Sequence, residues 1–176
     1  MIPPQDPLSS NGTPGPDPTP GPDPTPGTTE GSGRILFRGH RIDRLENHKV
    51  RLAVNLEWNG KIFEGVSIVP ELPLDRLEGA ADATLRALEM VVDSAAPTET
   101  SPDDRLAFAL QGAKVVGAFT HEYVLVTLNA IASRSALSLT GSALAGDDML
   151  RGAVLATLQA TNRWVQLRLN PKVVGN

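Results

Sequence analysis

Two pairs of adjacent carboxylates, Asp103–Asp104 and Asp147–Asp148, are what a divalent cation or an acid–base couple would use. Each pair stands in a linker or directly before an element, where helix capping and solvation account for it. Further ligands at useful spacing do not accompany them, so no metal site is assigned. His48 and His121 each stand just before a strand and lie 73 residues apart. Paired across a two-fold axis they could ligate a metal or act as a proton switch. A polar turn that accepts His in both places is the simpler account, and His40 has no counterpart. The run SALSLTGSAL offers Ser135, Ser138, Thr140 and Ser142. A serine nucleophile needs a base and an orienting acid, and the run has neither a nucleophile elbow nor the ending of a phosphate-binding loop. Gly141, Ser142 and Ala143 read instead as room for close packing. No catalytic residue and no cofactor are assigned, and the chain is read as a non-enzyme.

Composition narrows the remaining classes. Residues 1–33 hold ten of the fifteen prolines and no Lys or Arg. They repeat Thr-Pro-Gly-Pro-Asp-Pro and lack the apolar side chains that offset ordering entropy, which predicts a disordered, partly polyproline tail. A Pro-x-x-Pro spacing at Pro4 and Pro7 has no flanking base, so a spacer is preferred to a docking ligand. The tail carries Asp6, Asp17, Asp23 and Glu30, which equals the whole net charge of −4, so residues 34–176 are neutral. Neutrality argues against a nucleic-acid or anionic-membrane partner, which calls for a basic excess. There is no cysteine, which removes disulfides and thiolate sites. The first residues lack a secretion signal and no apolar run of about 18 residues occurs. A cytoplasmic location is therefore expected.

The elements that must position any site are written twice. GAADATLRAL (79–88) returns as GAVLATLQAT (152–161), 73 residues on, with Gly79, Ala83, Thr84 and Leu85 recurring as Gly152, Ala156, Thr157 and Leu158. The same spacing relates Gly39 to Gly112 and Leu52 to Leu125. Val50, Leu52, Val54, Leu56 and Trp58 alternate with polar residues, the pattern of a half-buried strand. Asn59-Gly60 marks a hairpin, KIFEGVSIV the return strand, and residues 74–92 a helix with Asp75 near its start. RILFRGHRIDRL supplies a preceding strand. The second copy has strands in AFALQGAKVVGAF, EYVLVTLNAIA and ALSLTGSAL, then a helix from Met149 capped by Asp147 or Asp148. The fold class is therefore α+β, with β-β-β-α units at 34–96 and 103–170, antiparallel strands and two helices behind a Pro-rich tail.

This plan resembles the regulatory domain at the carboxyl end of 2-isopropylmalate and citramalate synthases. The likeness lies in FEGVSI and LTGSAL on the third strands and in the Ala-rich helices AADATLRALEMV and AVLATLQATNRWV, the latter with its Asn162-Arg163 pair. The resemblance implies a dimerising, feedback-sensing module that binds a small metabolite such as an amino acid and acts on an enzyme. The family's catalytic barrel and metal-binding histidine motif are absent from this chain, so synthase chemistry is not carried over. An RNA-binding β-β-β-α domain ranks below it, because the helix starts PLDRLEGAAD and AGDDMLRGAV are acidic or neutral. A ligand-free docking scaffold is the other alternative.

One difference between the copies bears on partners. Arg51, Ala53, Asn55 and Glu57 suit water, whereas a 73-residue step places Val124, Val126, Leu128 and Ala130 there. Either the second strand has slipped by one residue, which swaps its faces, or something else covers it. A second subunit is the natural cover, and Val124, Val126 and Leu128 are assigned to a homodimer or partner interface.

Overall fold

The computed structural model describes residues 33–96, 105–132 and 135–169. Most of the tail reading (1–32), residues 97–104 of the proline-containing linker read over 95–104, with Asp103–Asp104, and residues 133–134 and 170–176 lie outside the described residues. Strands β1 (Leu36–Leu45), β2 (Lys49–Trp58) and β3 (Lys61–Pro70) precede helix α1 (Pro73–Ala95). Strands β4 (Leu106–Ala118), β5 (His121–Ala132) and β6 (Ser135–Leu144) precede helix α2 (Met149–Leu169). Each trio forms its own antiparallel sheet, in the orders β1-β2-β3 and β4-β5-β6. The chain is an α+β fold of duplicated β-β-β-α units.

The repeated phrase recurs because it seats each helix on its sheet. Gly65 of β3 lies so close to α1 that an added Cβ would meet the Ala87 backbone nitrogen at 2.5 Å and the Ala87 Cβ at 3.0 Å. Gly141 of β6 stands in the same relation to α2, with the Ala160 nitrogen at 2.7 Å and Cβ at 2.9 Å. A helix approaches a strand this closely only where both sides are small. Gly79 and Gly152 make room for Leu52 and Val124 respectively. Thr84 and Thr157 are buried, each donating its hydroxyl to the carbonyl four residues back, Ala80 at 2.7 Å and Ala153 at 2.8 Å. The helices also pack on each other, and α1 reaches β4 of the second sheet. Asp148, of the two candidate caps, receives the Arg151 N–H on its side chain at 3.0 Å.

The two units do not match at one constant spacing. Bulges fall at Gly39 of β1 and Gly112 of β4, 73 residues apart, both with the positive φ that glycine accepts (145° and 159°). Asn55 lies opposite Gly39 and Thr127 opposite Gly112, so the central strands are offset by 72. Glu64 faces Asn55 and Thr140 faces Thr127, an offset of 76 in the third strands. The helices return to 73, as Gly79 and Gly152 show. The step from 73 to 72 arises in a turn. Three residues, Glu46, Asn47 and His48, join β1 to β2, while Phe119 and Thr120 alone join β4 to β5.

That one missing residue settles the alternative left open by the sequence. Leu52 corresponds to Val124, not to Leu125. Val124, Val126 and Leu128 face α2 and the core with 0% of their surface exposed, as Val54 and Leu56 do in β2. The strand has slipped and swapped faces. Assigning these three residues to an interface is corrected accordingly, because the chain's own helices cover them. The outer face of β5 is Tyr123, Leu125, Thr127 and Asn129, each half-buried.

Candidate functional site

The residues singled out for chemistry do not converge. His48 is exposed in its turn and its carbonyl accepts the Glu71 N–H at 2.7 Å. His121 is exposed at the start of β5, and the 72-residue offset pairs His48 with Thr120 instead. His40 reaches from β1 toward the start of α2, its Nε2 3.8 Å from Asp148 Oδ2 and its ring stacked on Phe37. Among the described residues no group of His, Asp and Glu is arranged to hold a metal ion. Ser138, Thr140 and Ser142 lie exposed on the outer face of β6, with Thr127 Oγ1 3.5 Å from Thr140 Oγ1. Gly141 supports close packing, as its small size indicates.

A concave feature with room for a ligand lies elsewhere, between the start of β1 and the flank of α2. It encloses about 680 Å³, within the usual range for small-molecule sites, roughly 300–1,000 Å³. Ile35, Phe37, Leu88, Leu155, Leu158 and Val165 supply its apolar wall. Gln159, Asn162 and Gln166 add amides, and Arg34 stands exposed at the rim. Gln159 accepts the Ser142 N–H from the edge of β6 at 2.6 Å, and Gln166 donates to the Gly33 carbonyl at 3.5 Å.

The duplication supplies an internal comparison for this groove. The matching place in the other unit lies between β4 and α1, and there it is closed. Phe108, four residues before the Gly112 bulge, donates its N–H to Glu89 Oε1 at 2.9 Å. Burial pushes the Glu89 carboxyl above its ordinary range, with Asp93 and Asp82 adding to the rise; the Phe108 bond and Arg86 oppose it. Ile35, four residues before the Gly39 bulge, is the equivalent of Phe108. Its helix partner at the 73-residue step is Asn162 in place of Glu89. Among the described residues no side chain is paired with the Ile35 N–H.

The helix flanks differ in the same sense. Asp82, Arg86, Glu89 and Asp93 of α1 correspond to Leu155, Gln159, Asn162 and Gln166 of α2, four charged residues against four uncharged ones. Arg86 is paired with Asp82 at 2.9 Å. Arg34 has no carboxylate within ion-pair reach among the described residues. The groove thus combines apolar walls, neutral amides and one rim cation. Sequence reasoning missed it, although the loss of charge along α2 relative to α1 was readable once the copies were aligned.

No family model matches the chain, and no curated protein matches it. None of the helices among the described residues is long and apolar enough to cross a membrane.

Proposed function

We propose that this chain is a non-catalytic regulatory module that binds a small metabolite in the groove between β1 and α2 and acts on a partner enzyme. The observation that carries the reading is that one duplicated cleft is bridged by a carboxylate while its twin has neutral amides along the helix and one cation, Arg34, at its rim. Glu89 on Phe108 serves as a template for the ligand. An aliphatic carboxylate, such as a neutral amino acid, would offer its oxygens to the Ile35 N–H and to Arg34. Its body would lie on Leu155, Leu158 and Val165, and an amino group would meet the side-chain oxygens of the glutamines. The resemblance to synthase regulatory domains supports the same class of ligand.

Thermal-shift and NMR titrations of the whole chain test this. The panel holds neutral aliphatic amino acids, the matching 2-oxo acids, an acidic amino acid and duplex RNA. A fitting ligand at a hundred times its Kd adds about 2.7 kcal/mol of stability, and Arg34→Ala or Leu158→Trp should remove that gain. If no aliphatic carboxylate binds, and Leu158→Trp itself raises the melting temperature, the groove is a packing defect. Tight, salt-sensitive RNA binding would instead favour the nucleic-acid alternative.

A further inference from the structure

An edge strand leaves N–H and C=O groups unpaired along one side, and folded proteins blunt such edges against unwanted pairing. Among the described residues three of the four sheet edges are blunted. β1 and β4 are broken by their bulges, and Glu89 accepts the Phe108 N–H at the β4 edge. β6 is straight, but Gln159 of α2 accepts its Ser142 N–H at 2.6 Å, and Ser138, Thr140 and Ser142 turn hydroxyls outward. β3 has neither device. Its register runs without a shift from Lys61 opposite Trp58 to Pro70 opposite Lys49. The 76-residue offset puts Val66 in the place of Ser142, and the helix offset of 73 puts Arg86 in the place of Gln159. A guanidinium only donates, so it cannot cap an N–H, and Arg86 pairs with Asp82 instead. Among the described residues no side chain accepts the Val66 N–H.

Turn geometry fixes what this edge presents. Asn59 and Gly60 form a two-residue turn with both φ positive, so Trp58 and Lys61 close it as a hydrogen-bonded pair. Pairs alternate from there. Phe63, Gly65, Ser67 and Val69 bond to β2, while Ile62, Glu64, Val66 and Ile68 point N–H and C=O away from it. The Ser142 bond to Gln159 has the same parity in β6. The side chains of those four β3 residues share the outer face, where Ile62 and Ile68 are 59% and 58% exposed. In β6 the places of Ile62 and Val66 are taken by Ser138 and Ser142. Glu64 meets Arg51 of β2 at 3.1 Å through one oxygen, which leaves the other to a cation across the edge.

We infer that the β3 edge receives an extended segment of a partner protein, added antiparallel as a fourth strand of the first sheet. Its residues opposite Ile62, Val66 and Ile68 are β-branched, and the one opposite Glu64 is Lys or Arg. The residues between them lie toward Arg86 and bring hydroxyls or a carboxylate, the acceptors that a guanidinium needs. The proline-rich tail is a poor occupant, since the prolines of TPGPDPTPGPDPTPG lack the N–H groups that pairing requires. The inference is independent of the ligand groove, which lies between β1 and α2.

The test uses the full chain and the blocked peptide Thr-Val-Thr-Val-Thr-Lys-Thr-Val-Thr, followed by NMR titration and amide hydrogen exchange. Exchange should slow about tenfold or more at Ile62, Glu64, Val66 and Ile68, while Phe63, Gly65 and Ser67, already bonded to β2, change little. Methylating the peptide's valine amides should abolish binding, because those N–H groups face β3. Val66→Pro removes one outward N–H where an edge strand accepts proline, so the fold should persist by circular dichroism while binding weakens at least about tenfold. Ile62→Lys combined with Ile68→Lys leaves the backbone intact and should have the same effect. Glu64→Lys should come to prefer the peptide with Glu in place of Lys. Random peptides displayed on phage and selected on the chain should carry β-branched residues at alternate positions. Binding that survives Val66→Pro in a folded chain, or survives the paired lysines, would overturn the proposal. So would protection confined to residues outside β3, or failure of this peptide and of every selected one to bind. Protection of the same amides by rising protein concentration alone would make a second copy the occupant and would also overturn it.

Discussion

Replacing Gly141 by alanine tests how α2 is seated, and the outcome can be worked from the contact itself. The new Cβ would lie 2.7 Å from the Ala160 nitrogen and 2.9 Å from its Cβ, with the Ala156 carbonyl oxygen nearer still. These are backbone atoms or methyls, so no side chain can swing aside. Ordinary contact at such a site is about 3.4–4 Å, and α2 must lift by close to 1 Å. Overpacking of this kind costs about 1–3 kcal/mol. The upper end applies because lifting α2 also loosens Val126 and Val154, both at 0% exposure. A loss of about 3 kcal/mol corresponds to roughly 6–12 °C in Tm for a chain of this size. Urea unfolding gives the free energy directly, and an unchanged slope with denaturant would show that only the native state has altered. Gly65→Ala should cost a similar amount in the other unit, and the double variant should be near the sum. Gly117→Ala is the control, since its Cβ would meet nothing within 4 Å. If Gly141→Ala loses less than about 1 kcal/mol, the close approach of α2 to β6 is wrong. Because α2 also forms one wall of the groove, Gly141→Ala should weaken ligand binding more than Gly65→Ala does.

Three further outcomes follow from other parts of the molecule. Val126→Arg places a charge among buried side chains, so the variant should fail to fold at 25 °C by circular dichroism, not merely lose a dimer; a folded variant would mean that β5 has not swapped faces. The Glu89 carboxyl is raised mainly by burial, so the native state holds its proton longer than the unfolded chain, and this contribution to stability fades as pH rises from the unfolded value through the folded one. Glu89→Gln keeps an acceptor for Phe108 without the charge, and its stability relative to the parent should rise between pH 4 and 7 in urea titrations; parallel profiles would refute the burial argument. Asp148→Ala removes the side-chain acceptor for the Arg151 N–H and should cost about 1 kcal/mol in the same assay.

The sequence alone determined the element types, their order and their duplication. These follow from local rules: the two-residue alternation in Val50–Trp58, the Asn59-Gly60 turn with both φ values positive (49° and 76°), and small residues at helical spacing in both Ala-rich phrases. It could not decide which face of β5 is inward. Side chains in a strand reverse with every residue, so the single residue lost between β4 and β5 inverts the whole strand. The identities on either side, Gly39 with Gly112 and Gly79 with Gly152, keep the 73-residue spacing and conceal the slip. The groove was equally out of reach, because it depends on Gly33 and Gln166 coming together across 133 residues of chain. Local pattern fixes what each segment becomes, whereas only tertiary packing decides that α1 closes on β4 while α2 leaves β1 open.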